Sequence, residues 1–172
     1  VAYLLMIPAI AIIFGAFASG NPLAILGGAR EMKLVLSYEL PFILAIFTPV
    51  VHLFKYSKLA RVSINLGTLV YSQHSHIFLI GIGNFLDVVS MIIAFVVALL
   101  CVQAKLGYPP FDIGEAECEI ASGIFIEYSG PLLAVIKLTK AMLLFILPVF
   151  LSTLFLGGLS FSGIQILWSI LK

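Results

Sequence analysis

Charge is scarce in this chain. Of 172 residues, 9 are Lys or Arg and 8 are Asp or Glu, 10% in all, against about 25% in ordinary soluble domains. With 62% hydrophobic residues and a mean hydropathy of +1.22, that shortage excludes an ordinary soluble globular domain. Cysteine is nearly missing. Cys101 and Cys118 have no second Cys/His pair nearby, which excludes a zinc or iron–sulfur site of their own making; both read as small buried hydrophobes. His74 and His76 form an H-x-H without further ligands, so no metal site is expected there. Missing too are a nucleophile–base constellation, a phosphate loop and any internal repeat. The net charge of +1 gives no footing for nucleic acid. The apolar runs do not alternate with the period of two that a membrane barrel strand needs.

What is there is a series of apolar runs near the length of about 20 residues that crosses a bilayer. The expectation is an all-α, multi-pass membrane bundle of about five segments with kinked helices. The first segment spans 1–19, with a turn at Gly20-Asn21-Pro22 and a short polar hinge at 27–33. The second spans 34–53 and holds Glu39, Pro41 and Pro49; proline kinks or interrupts a membrane helix where neighbours satisfy the freed carbonyls. A polar connection with Lys55, Lys58, Arg61, His74 and His76 occupies 54–76. The third segment, 77–104, carries Asp87. The fourth, 131–156, carries Lys137, Lys140 and Pro148, and a fifth opens at 164. One transmembrane domain is expected over 1–172, with an acidic loop and short helix at 105–130. The chain opens and closes within apolar runs, so it is expected to be the central part of a longer polytopic protein. Arg30, Lys33 and Lys105 on one side balance Lys55, Lys58 and Arg61 on the other, so the positive-inside rule assigns no orientation.

The few charges are unevenly placed. Five of the eight carboxylates fall between Asp112 and Glu127, and no Lys or Arg lies between Lys105 and Lys137. The Pro109-Pro110 pair predicts an extended backbone. Asp112 then suits a helix N-cap with Glu115 at capping-box spacing. If that helix runs on to Gly123, Asp112, Glu115 and Glu119 share a stripe and Glu117 faces away. Crowding and partial burial are expected to leave at least one loop carboxyl protonated near neutral pH. A solvated acidic loop, or a docking patch for a basic partner, is the plainer reading. Within the membrane, Glu39, Asp87, Lys137 and Lys140 need pairing, water or neutralisation. Glu39 beside the Pro41 kink reads as functional; Asp87 and the lysines read equally as structural pairs or snorkelling side chains.

Two stretches, GGAREMKLVLSYELP (27–41) and PPFDIGEAECEIASGIFIEYSGP (109–131), resemble the signature segments of the subunit 1 family of respiratory complex I. That family includes the related membrane subunit of energy-converting membrane-bound [NiFe] hydrogenases. The loop pattern is matched at Pro110, Phe111, Asp112, Glu115, Ala116, Glu117, Glu119, Gly123, Glu127, Tyr128, Ser129 and Gly130; the SYE of the other signature falls on Ser37, Tyr38 and Glu39. Members have about eight membrane helices, and this chain would supply the third to the start of the seventh.

The resemblance implies an anchor and coupling subunit in the plasma membrane of a prokaryote, where an iron–sulfur-bearing peripheral arm meets the membrane arm. Its acidic loop faces the cytoplasm. Glu39, Asp112, Glu115, Glu117, Glu119 and Glu127 would couple electron transfer next door to H⁺ or Na⁺ movement toward antiporter-like subunits. The chain itself holds no cofactor and is not expected to be an enzyme alone; iron–sulfur clusters, and a NiFe centre or a quinone, belong to neighbouring subunits. Gly114 departs from the proline or threonine common in the family and implies a looser loop; Cys118 departs from glutamine or serine. REMKLVLSYELPF is closer to the hydrogenase-type branch, with the quinone-site subunit of NADH:quinone oxidoreductase as the alternative. From the residues alone, an independent secondary ion transporter and a structural scaffold remain open.

Overall fold

A computed structural model describes residues 2–56, 67, 85–121 and 123–156, with side chains for the same residues except 53–56, 117 and 118. The described residues hold helices and turns and no strand. A 3-10 turn at Leu4–Met6 leads into α1, Ile7–Ala18. Then follow α2, Pro22–Tyr56; α3, Phe85–Leu106; the one-turn α4, Glu117–Ile120; a 3-10 turn at Gly123–Phe125; and α5, Pro131–Phe155.

Among the described residues, three helices are long and apolar enough to cross a membrane: Pro22–His52 within α2, Phe85–Leu106 and Pro131–Phe155. The first apolar segment is shorter, at Leu4–Ala18. The fifth expected segment, residues 77–84 of the third, and His74, His76, Lys58 and Arg61 lie outside the described residues. All three long helices expose aliphatic stripes. On α2 the stripe is Leu36, Leu40, Leu44, Phe47 and Val51, while Val35, Tyr38, Glu39, Phe42 and Ala45 are buried. Charge on the covered face and hydrocarbon on the open face is the arrangement of a multi-pass membrane protein.

The expected hinge at 27–33 is not a break. Asn21 Oδ1 accepts the Leu23 N–H at 2.9 Å, capping a helix that has Pro22 at its first position. From there α2 runs unbroken through 27–33 and past Pro41 and Pro49. Gly27-Gly28 serves packing instead. A Cβ on Gly28 would sit 2.9 Å from Ala16 Cβ of α1, the close approach that small residues allow between membrane helices.

The loop also departs from expectation. The Tyr108–Phe111 segment is a tight turn closed by the Phe111 N–H donating to the Tyr108 carbonyl at 2.9 Å, not an extended lead-in. Asp112 and Glu115 lie in irregular backbone, so no capping box forms; α4 begins at Glu117 with Ala116 as its N-cap and no side-chain cap bond. It ends at Ile120, where Ala121 turns left-handed at φ 48°. The shared stripe of Asp112, Glu115 and Glu119 therefore does not exist, because no helix joins them. Local capping signals lost to the packing of this segment on α2.

The contacts group into two compact units. One comprises residues 1–41 and 100–145, the other 42–99 and 146–172. In the first, Ala16, Ala24, Val35, Tyr38 and Ile124 form the core; in the second, Phe42, Pro49, Leu147, Leu154 and Phe155 do, with the Phe95 and Phe155 rings tilted at 5.4 Å.

Candidate functional site

The first unit holds Glu39 and all the acids of the loop, and it adds charged residues that the sequence did not single out. On α2, two faces of one helix turn bury Tyr38 and Glu39, each under a tenth exposed. Lys105, in the last turn of α3, donates from Nζ to Glu39 Oε2 at 2.8 Å, with side chains 1% and 9% exposed. The same ammonium stands 5.5 Å from the Tyr38 ring centroid, within cation–π range. Glu39 Oε1 and Tyr38 Oη are buried and find no hydrogen-bond partner among the described residues. A buried polar atom left so costs a few kcal/mol, which ordinarily persists where water or a moving proton serves it.

Two turns toward the N-terminus of α2, on the same side as Tyr38, lies Glu31. Lys140, Glu115 and Asp112 all lie within electrostatic range of its carboxylate. Gly114 is buried against it. A Cβ there would meet Glu31 Oε2 at 2.7 Å and Ile124 Cδ1 at 2.9 Å. The glycine that departs from the family pattern makes room for Glu31. Glu115 pairs with Lys140 of α5, both half-buried, and Gly107 lies against this pair. The Lys140 ammonium also stands 5.3 Å from the Phe125 ring centroid. Asp112 is half-buried, with Oδ1 sealed from solvent and without a described partner.

The outer acids are tied to the helices differently. Arg30 Nη1 donates to Glu119 Oε2 at 2.6 Å, with side chains 33% and 65% exposed. Asn21 Nδ2 donates to the exposed Glu127 at 2.6 Å. Next to it the Tyr128 hydroxyl donates to the Gly15 carbonyl of α1 at 2.8 Å. Glu117 belongs to α4, and its side chain lies outside the description. Lys137 is exposed one turn before Lys140; of the two lysines, Lys140 reaches the loop. Asp87 belongs to the second unit, where His52 Nδ1 is 4.0 Å from its Oδ1.

The crowding that the base-free run suggested is found in part: Glu115 and Asp112 both stand within electrostatic range of Glu31. Bases and amides from α2, α3 and α5 meet Glu39, Glu115, Glu119 and Glu127 one by one. Glu31 and Lys105 were not singled out as site residues. Glu31 lies inside the first signature stretch, but the supposed hinge hid its place on the buried helix face, which the spacing 31, 35, 38, 42 marks. Among the described residues, no group of three His, Cys, Asp or Glu could hold a metal ion.

A family model described as NADH dehydrogenase matches residues 1–172. Among curated relatives, an NADH-quinone oxidoreductase subunit from Anoxybacillus flavithermus is 33% identical over 149 residues, 87% of this chain and 40% of that protein. The same subunit from Bacillus thuringiensis and from Bacillus anthracis is in each case 34% identical over 154 residues, covering 88% of this chain and 40% of the relative. The chain thus spans about 40% of the length of the curated relatives it matches.

Proposed function

The chain belongs to the NADH dehydrogenase family of complex I subunit 1, and from that premise we propose that it is the membrane-anchor and coupling subunit of a complex I-like assembly. Its role is to link electron transfer in a peripheral iron–sulfur arm to movement of H⁺ or Na⁺ toward antiporter-like membrane subunits. The observation that carries this is the charged residues gathered in the first unit: Glu39–Lys105 between α2 and α3 with Tyr38 beside the lysine, and Glu31 within electrostatic range of Glu115, Lys140 and Asp112 at the loop. Each member is buried or half-buried. A change of charge at Glu115 or Asp112 is felt by Glu31, because weakly solvated charges couple strongly over short range.

The identity of the electron acceptor divides into two readings. The name that the relatives carry, NADH-quinone oxidoreductase, favours a quinone; the REMKLVLSYELPF wording favours the hydrogenase-type branch, in which protons are reduced in other subunits. Identifying the neighbouring chains decides between them: a flavin subunit and bound quinone, or a large subunit with nickel-ligand cysteines.

Glu39→Gln in the assembled complex, reconstituted in vesicles, tests the coupling role. Assembly and electron transfer are expected to persist while ions moved per electron fall. Equal loss of both, or loss of assembly alone, would leave Glu39 a structural residue. Ion transport by the isolated chain would mark an independent transporter instead.

A further inference from the structure

The corner between α1 and α2 carries a polar side chain that the coupling residues do not include. Gly20 turns the chain left-handed at φ 70°, a conformation that glycine adopts at little cost. The Ser19 hydroxyl donates to the Ala16 carbonyl at 2.7 Å, and its oxygen accepts the Asn21 N–H at 3.4 Å. Pro22 then sets the backbone that opens α2. The main chain of Asn21 is thus held on both sides. Its side-chain Oδ1 accepts the Leu23 N–H at 2.9 Å, which settles the orientation of the amide, because only the oxygen accepts. Nδ2 donates to Glu127 Oε1 at 2.6 Å, across 106 positions of sequence. The next residue is tied to α1, by the Tyr128 hydroxyl on the Gly15 carbonyl at 2.8 Å.

Glu39, Glu115 and Glu119 are each met by a base, Lys105, Lys140 and Arg30 in turn. Glu127 is met by a neutral amide and forms no ion pair among the described residues. A base orients a carboxylate and also cancels its charge; an amide orients it and leaves the charge in place. We propose that Asn21 is a positioning residue for Glu127, holding the last carboxylate of the acidic loop at one point without neutralising it. An exposed glutamate left to itself spreads over many rotamers. A seated one presents its full negative charge at a fixed distance from its surroundings, and a charge so fixed raises the local concentration of cations. The part that this plays in ion movement rests on the coupling reading above; the seat itself does not.

The test uses the intact complex in liposomes. Asn21→Ser and Asn21→Asp each keep an oxygen that caps α2 and each remove the donor to Glu127, so a role confined to capping leaves both variants like the starting protein. Hydrogen exchange of the peptide covering 123–130 reads the seat, and ions moved per electron read the role. Both variants are expected to exchange at least about threefold faster there and to move at least about twofold fewer ions per electron. Asn21→Asp combined with Glu127→Gln swaps donor and acceptor, remakes the contact, and is expected to exchange like the starting protein. Glu127→Gln alone keeps the seat and removes the charge; its ion ratio is expected to fall as far as that of Asn21→Ser. Unchanged exchange in both Asn21 variants overturns the seat. Faster exchange with an unchanged ratio overturns the positioning role. An unchanged ratio in Glu127→Gln overturns it too, while Glu39→Gln still tests the coupling reading. A wild-type complex that moves no ions overturns the coupling reading, and the exchange measurement still decides the seat.

Discussion

Lys105→Met is expected to be among the most damaging single changes in the first unit. Lys105 and Glu39 are 1% and 9% exposed and joined at 2.8 Å. Removing the lysine strands a carboxylate whose other oxygen has no partner among the described residues. Breaking a buried pair by deleting one member costs about 3–5 kcal/mol. The carboxylate can escape by taking a proton, which for an ordinary glutamate at pH 7 costs about 4 kcal/mol, so both routes give a similar penalty. Against a total stability of about 5–15 kcal/mol, that is a large share. Replacing both residues, Glu39→Leu with Lys105→Met, removes the stranded charge and is expected to recover stability to within about 1 kcal/mol of the starting protein or better. The assay is a denaturant titration of the detergent-solubilised complex for both single variants and the double. The double variant is then expected to assemble and still fail to move ions. A single change costing less than about 1 kcal/mol, or a double as damaging as the sum of the singles, would refute the reasoning, because the pair would then be neither desolvated nor coupled.

Three further outcomes follow from the loop's seating. Gly27→Ala would place a Cβ 2.9 Å from the Gly114 carbonyl and 3.0 Å from the Ile124 nitrogen; backbone cannot yield, so overpacking of about 1–3 kcal/mol is expected, read as faster proteolysis within 112–127. Tyr128→Phe removes the donor to the Gly15 carbonyl and is expected to cost about 0.5–1.5 kcal/mol; a thermal shift assay checks it, and no shift would show that α1 does not hold the loop's end. Glu119→Gln breaks an exposed pair with Arg30 and is expected to change stability by less than about 1 kcal/mol; a loss of several kcal/mol would mean that the pair is covered in the assembled complex.

Much of the fold could be read along the chain, because it follows from running hydropathy. A lipid-facing helix must be apolar over a bilayer's width, and α3 and α5 are so in sequence. The signature of the acidic loop was likewise a local string. The errors fell where two signals competed. GGAREMK looked like a hinge because glycine and charge usually interrupt helices, yet glycine there admits α1 and the loop, and Glu31 faces inward. Asp112 and Glu115 looked like a capping box because the spacing is right, yet backbone packing on α2 left them in irregular chain.

Composition and order of residues by themselves determined that this is a multi-pass helical membrane protein of the complex I subunit 1 family and that its acid is concentrated in one loop. The pairing of that acid was decided by tertiary structure. Lys105 meets Glu39 across 66 positions of sequence, and Arg30 meets Glu119 across 89. His52 meets Ser90 across 38. Such contacts depend on which helix faces turn toward each other, and a side chain's partner on a distant helix leaves no periodic trace in its own neighbourhood.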